Sequence, residues 1–346
     1  MNLNISPSTQ HCNHPHWSMG MFREQWTLAL GAALEWSTAH TYSSAASSYI
    51  TFCDLHHFPT DPMVEGLCFY IVYMSHFIKP TSVKSYLSGI CAKLEPFYPD
   101  IHSIHSSKLI NCTLTSCTKL YGSPARRKRA LTKSNLLLII CSAPHCATHD
   151  DLLFLTIVLV RWHCLLHLGE LVDHDSTSLW DFHKSINHLS VKFVDLPCPH
   201  VLFFLPMHKA NCFFKGLTIV FEKCLLHLDP VHFFKIYLNS CDSCFPYLPQ
   251  LWLHSNGSIP MCSWFMNRIN TIFPSNEVTG HSLHSGGATT LALTGTPLNQ
   301  IQSIGQWSSD AFLIYLCKNP LLIQGSLAGH STFDTHIRKQ ISAPVM

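Results

Sequence analysis

The chain has 346 residues, long enough for two domains and a sizeable core. Hydrophobic residues make up 47% and charged ones 12%, against a typical charged share of about 25%. The net charge of +2 offers no global basic field, so any nucleic-acid contact has to come from a local patch. The longest apolar run, Leu152 to Val160, is cut by Arg161 and is far too short to span a bilayer. Met1 to Met19 is polar and lacks a signal-like apolar core. The expectation is a soluble intracellular protein with no membrane partner.

In chain order, residues 1–21 read as an unstructured leader. Residues 22–121 read as a helical unit: Gln25 to Trp36 is rich in Ala and Leu, and Thr41 to Phe52 places Tyr42, Ala45, Ala46, Tyr49 and Ile50 at helix-like spacing. Pro59 to Pro62 makes a stop, Leu67 to Phe77 is an apolar helix, and Pro80-Thr81-Ser82 opens another over Val83 to Leu94. Residues 122–133 form a basic linker whose run Arg126-Arg127-Lys128-Arg129 is the one concentrated cationic segment. Such a run neutralises phosphates without reading sequence, or serves as a nuclear localisation signal, or is a solvated linker.

Residues 134–320 begin with two helices, Lys133 to Ser142 and Asp150 to Leu168. Strands are expected over His188 to Val194, Val201 to Leu205 and Leu217 to Phe221, the last two flanking a turn that carries Lys209. Asp229-Pro230 starts a helix, Leu251 to Leu253 is a short extended piece, Asn256-Gly257 a turn, and Cys262 to Ile272 a helix. A polar cluster around His281 and His284 opens on Gly286-Gly287 and leads into a helical run from Ala288 to Leu293. Thr296 and Pro297 read as N-cap and first turn of the next helix, broken at Gly305. Ser308 or Ser309 caps a last one bearing Tyr315, which on periodicity alone is equally a core residue beside Ala311 and Phe312. Residues 321–346 form a tail. The fold class expected is mainly α (α+β), two largely helical domains with one small three-stranded antiparallel sheet.

The 16 cysteines are scattered, and Cys241-x-x-Cys244 has no second pair at zinc-ribbon spacing. Reduced thiols, no structural metal and no cofactor are expected, with a His/Cys metal protein kept as the least favoured option. Arginine occurs seven times against 25 histidines. Single transitions at CpG turn CGN arginine codons into His, Cys, Gln or Trp codons, which fits a surplus of His beside a deficit of Arg.

Three stretches carry a resemblance: Leu165-Leu166-His167-Leu168-Gly169-Glu170-Leu171; Gly280-His281-Ser282-Leu283-His284-Ser285-Gly286-Gly287-Ala288-Thr289; and Gly305-Gln306-Trp307 through Phe312 to Tyr315. Together they resemble the signature of the tyrosine recombinases, DNA breaking-rejoining integrases, and within them the transposon-derived branch found in fungi. Residues 22–121, notably Thr38 to Tyr42, Phe52-Cys53 and Thr81 to Ile90, resemble that family's core-binding (SAM-like) domain, which grips duplex DNA opposite the catalytic domain.

The resemblance implies that Tyr315 is the nucleophile, forming a 3′-phosphotyrosine while a 5′-hydroxyl leaves. It implies that Lys209 is the general acid and that His281 and Trp307 position the phosphate. His167 and His284 fall where the family has its two arginines, and Gln306 and Cys317 stand at further arginine positions. A guanidinium forks onto phosphate oxygens with a permanent charge; a neutral imidazole cannot. Arg161 lies six positions before His167, off its helical face, and is not read as a substitute.

The functional expectation is a double-stranded-DNA-binding protein of recombination and integration, nuclear, with impaired strand cleavage and no small-molecule substrate. Homo-oligomerisation on DNA is left open. The alternative is a catalytically inert DNA-binding module from a decayed or repurposed mobile element. Restoring arginine at both 167 and 284 is expected to recover covalent capture of DNA.

Overall fold

The structure is a computed structural model, and it describes residues 15–32, 36–123, 128–144, 146–207, 216–224, 228–275, 277–307, 309 and 312–313. The chain divides into two compact units, Met1–Ala125 and Arg126–Met346.

Among the described residues the regular structure of the first unit is all helical: α1 (Met19–Ala32), α2 (Trp36–His56), α3 (Val64–Ser75), α4 (Pro80–Leu94), α5 (Ile101–His105) and α6 (Lys108–Tyr121). Proline at the start of α4 is tolerated because that N–H would have no partner in the helix. Val83, Leu87 and Ile90 recur at three- and four-residue steps and are fully buried against Ala45, Tyr49 and Phe52 of α2. Gly89 lets the two helices close: a Cβ there would lie 2.9 Å from Ala45 Cβ and 3.0 Å from Tyr42 Cα. The Ser48 and Tyr70 hydroxyls, 3.0 Å apart, tie α2 to α3.

The second unit is built on α8 (His149–Cys164), which is apolar on nearly every side and buried along most of its length. Its start is fixed by a reciprocal cap between Thr148 and Asp151, and α7 (Lys133–Cys141) is capped in the same way by Thr132 and Asn135. Arg268, on α10 (Cys262–Ile272), pairs with Asp151, donates to Asp150 O at 2.6 Å and lies over the Phe154 and Trp264 rings. A three-stranded antiparallel sheet, β1 (Lys192–Val194), β2 (His200–Leu205) and β3 (Leu217–Glu222), packs Val201, Phe203, Ile219 and Phe221 inward toward Phe234 of α9 (Pro230–Cys244) and Trp252. Two more helices, α11 (Gly280–Leu293) and α12 (Leu298–Ile304), complete the described part.

The expected class holds: largely helical, with one small antiparallel sheet of three strands. Four local expectations are corrected. His188–Ser190 is a 3-10 turn rather than the start of a strand, because the Asn187 side chain accepts the Leu189 N–H at 2.8 Å and holds the turn. The helix over residue 150 onward ends at Cys164, not Leu168, because Leu165 adopts a left-handed conformation at φ 51°. Helix α11 starts at Gly280, eight residues before the expected Ala288, since Thr279 and Ser282 cap it reciprocally. Pro297, not Thr296, is the residue that opens α12. Among the described residues no helix is long and apolar enough to cross a membrane.

Candidate active site

The site forms where the C-terminal end of α8 meets the first half of α11. Helix α8 stops in the left-handed Leu165, whose side chain is buried. The reversal sends Leu166 back so that its carbonyl accepts Arg161 Nε at 3.0 Å. His167 follows in extended conformation and opens a 3-10 turn, Leu168–Glu170. Its backbone N–H donates to Glu170 Oε2 at 2.7 Å, and its carbonyl accepts the Glu170 N–H at 3.1 Å. Glu170 therefore fixes the backbone from which the His167 ring projects.

The other wall is α11. Thr279 N–H donates to Ser282 Oγ at 3.0 Å, the Ser282 N–H returns to Thr279 O at 2.9 Å, and the Ser282 carbonyl accepts the Leu131 N–H at 3.0 Å. Gly286 and Gly287 bring the helix against backbone: a Cβ on Gly286 would strike Leu131 O and the Trp162 ring, and one on Gly287 would strike Trp162 O. That approach aims His281 and His284, three residues apart and so on one face, at His167.

The three imidazoles stack. The His167 and His284 ring centroids are 4.6 Å apart at 18°, His281 and His284 5.4 Å at 21°, and His167 and His281 6.5 Å at 9°. Trp307 closes the array with its ring 4.8 Å from His284 at 77°, and stacks in turn on Phe312 at 5.2 Å. The tryptophan is presented by a tight turn in which Gln306 takes a positive φ of 56°. A Cβ on Gly305 would overlap the Trp307 ring.

His284 has 0% exposure, and burial pushes its pKa down to about 3, helped by the neighbouring His167, His281 and Arg161 charges. Burial, then Arg161, lowers His281 as well. His284 is thus neutral at pH 7 and offers hydrogen bonds rather than charge. The near-parallel rings do not converge their nitrogens on one point, and no group of three His, Cys, Asp or Glu among the described residues could hold a metal ion.

A consequence is measurable. The folded chain keeps His284 neutral to about pH 3, while the unfolded chain protonates it near 6.5. Between those values the unfolded state binds more protons, so stability rises with pH and is lost as pH falls below 6.5. Urea unfolding is expected to show a loss of about 2 kcal/mol from His284 between pH 7.5 and 5. The His284→Gln variant should flatten that slope; an unchanged slope would assign the effect elsewhere.

Of the residues the sequence singles out, the structure brings His167, His281, His284 and Trp307 together. Tyr315, Lys209, Arg126 and Arg127, with Cys317, lie outside the described residues. Arg129 donates from NH1 to Asn135 Oδ1 at 2.8 Å and lies 3.9 Å from a Glu277 carboxylate oxygen, so its guanidinium is engaged within its own unit. Lys128 lies in the irregular segment beside it. Two residues of the site receive no role in the sequence reading: Glu170, whose capping contact could have been suspected from its three-residue spacing to His167, and Arg161, set aside there because a six-residue step leaves the helical face of His167. Arg161 is 2% exposed on the last turn of α8, yet its charge is felt at both His281 and His284.

No protein-family model matches the chain, and no curated protein matches it. Among solved structures it is similar to a lambda integrase dimer bound to a core site, at 14% identity over 86% of this chain and 95% of that one, with a TM-score of 0.54. It is also similar to lambda integrase bound to DNA, at 14% identity over 84% and 91%, with a TM-score of 0.50. A third likeness is to the Tn1549 transposon integrase in complex with transposon right end DNA, at 12% identity over 77% and 85%, with a TM-score of 0.50. At these identities the likeness establishes a shared fold.

Proposed function

We propose that this chain is a double-stranded-DNA-binding protein of the tyrosine-recombinase type, from the transposon-derived fungal branch, acting in the nucleus with its strand cleavage impaired. The observation that carries the reading is the convergence of His167, His281, His284 and Trp307, from three separate segments, in one array. Their order along the chain is that of the recombinase signature, and the fold shared with integrases captured on DNA supports the same class.

In this reading the Tyr315 oxygen attacks a phosphodiester, a phosphotyrosine bond forms at the 3′ side, and the bond to the 5′ oxygen breaks. Lys209 gives the leaving oxygen its proton. The developing negative charge falls on the non-bridging oxygens, next to His167 and His284. A neutral imidazole donates one hydrogen bond and no charge, so the transition state lacks the stabilisation that a forked guanidinium supplies. The buried, neutral state of His284 favours a second reading, an inert DNA-binding module. Solved integrase dimers on DNA support assembly of two or more copies on the duplex.

Duplex binding is the test of the shared core of both readings. Replacing Arg126, Arg127, Lys128 and Arg129 with alanine should weaken affinity and reduce the slope of log K against log salt, by up to about 0.9 for each phosphate that is no longer neutralised. Fluorescence anisotropy on a labelled duplex at several salt concentrations measures both. Unchanged affinity and slope would remove the basic run from the interface; no duplex binding by the unaltered chain would sink the DNA reading altogether.

A further inference from the structure

Arg161 is the feature of this site that the sequence signature does not account for. Its side chain is among the most deeply buried large groups of the chain, at 2% exposure. Nε is satisfied by Leu166 O at 3.0 Å, but NH1 has no hydrogen-bond partner among the described residues. That nitrogen lies 3.6 Å from where a Cβ of Gly280 would sit, and Gly280 is the first residue of the 14-residue helix α11. The backbone there is not left-handed, so glycine is not demanded by conformation. Its effect is to leave that position of α11 without a side chain of its own beside the guanidinium, where Leu168 Cδ2 and Met266 Sδ also border the space, 3.3 and 3.5 Å from the same Cβ position.

A buried charge is costly unless an opposite charge answers it. Burial lowers the Arg161 pKa to about 10, with Glu170 and Cys262 pulling the other way, so the group is still a cation at neutral pH. The first turn of a helix adds amide N–H groups and the positive end of the helix dipole. His281, the next residue, is exposed, and a neutral imidazole carries one N–H donor. A buried cation with an unanswered N–H, a helix start and an imidazole donor thus meet at one place.

We propose that Arg161, Gly280 and His281 form an oxyanion site for a single phosphate group, with the Arg161 guanidinium as its resident cation. The ligand class is a tetrahedral phosphate oxyanion, supplied either by a DNA phosphodiester or by free phosphate; the DNA source rests on the function proposed above. Arg161 in this scheme restores from beneath the site part of the positive charge missing at residues 167 and 284. It holds the phosphate without forking onto it from the reaction face, so binding persists while cleavage suffers.

Inorganic phosphate is the first probe. The full-length chain is titrated with it against chloride at matched ionic strength, reading thermal unfolding and the imidazole ¹H–¹⁵N signals. In the unaltered protein, phosphate should raise the unfolding temperature and shift the His281 signals. Arg161→Met should weaken phosphate binding about tenfold or more, whereas Arg161→Lys, which keeps the charge, should retain part of it. Should Arg161→Met fail to fold, Gly280→Ala decides, because its methyl meets only side-chain atoms at 3.3 Å or beyond. It covers the guanidinium without removing it and should weaken phosphate severalfold. Equal phosphate affinity in the folded variant, or no effect of phosphate beyond chloride in the unaltered chain, overturns the site.

A duplex arm separates the sources. Competition between duplex DNA and phosphate identifies the phosphodiester as occupant, and its absence identifies free phosphate. Arg161-dependent phosphate binding in a chain that ignores duplex DNA would sustain this site and defeat the DNA reading. Duplex binding with no Arg161-dependent phosphate effect would do the reverse.

Discussion

Replacing His167 and His284 together with arginine should give a protein that captures DNA covalently on Tyr315, where the unaltered chain yields little or none. Both rings belong to the same array, their centroids 4.6 Å apart, so in the function proposed above the two positions address one phosphate. Losing a single donor to the developing oxyanion costs on the order of 10²–10³ in rate, and two that act on one group are strongly non-additive. Each single restoration should therefore fall far short of the pair. The gain carries a cost in the free protein: residue 284 is wholly buried and already feels the charge of Arg161. An added guanidinium there is destabilising until an anion arrives, so the double variant should melt earlier than the unaltered chain and recover with phosphate. A nicked suicide duplex, drawn from a library because the target sequence is not specified, lets the adduct accumulate. The adduct should be protease-sensitive and vanish in Tyr315→Phe. Abundant adduct from the unaltered chain would refute the impairment; none from either form would favour the inert module.

The second large effect concerns the fold that holds the array. Gly286→Ala and Gly287→Ala should each destabilise the second unit by about 3 kcal/mol, near the upper end of overpacking costs, because the atoms in the way are backbone. A methyl at 286 runs into Leu131 O and comes within 2.5 Å of the Trp162 ring, and one at 287 meets Trp162 O with Leu165 Cδ2 at 2.6 Å. Neither carbonyl can turn aside: Leu131 is pinned through its own N–H to Ser282 O, and Trp162 lies within α8. Helix α11 would have to withdraw, carrying His281 and His284 away from His167. Denaturant unfolding of each variant, with the imidazole signals as a local probe, measures both consequences. Wild-type stability of Gly287→Ala would mean that α11 and α8 are not in backbone contact, and of Gly286→Ala that Leu131 O does not lie against α11.

The sequence carried much of this in its periodicity and punctuation. Tyr86, Leu87 and Ile90 mark one side of a helix, of which Leu87 and Ile90 are fully buried, and Pro80 announces where that helix starts. Asp229-Pro230 opens α9 as read, and Cys262 to Ile272 is helical to the residue. These are local properties, decided by caps, by φ restrictions and by the spacing of apolar side chains, so one dimension suffices to see them. The first strand was less legible, because an asparagine side chain competing for a backbone N–H is a local event that apolar patterning does not register.

The sequence by itself determined the fold class and the order in which His167, His281, His284 and Trp307 occur. It also determined that residues 167 and 284 are histidine rather than arginine. Only the tertiary structure decided where the remaining charge lies. The six-residue separation of Arg161 from His167 excluded a shared face only for a continuous helix, and the helix ends between them. Leu165 turns left-handed and the chain doubles back, so that Arg161 Nε reaches Leu166 O. Helix α11, admitted to close approach by Gly286 and Gly287, then brings its first turn over the guanidinium, so that a Cβ on Gly280 would lie 3.6 Å from Arg161 NH1. A reversal of one residue's φ and a close approach of two helices are non-local facts. Their energies depend on which atoms arrive from elsewhere in the chain, and residue order alone does not specify that.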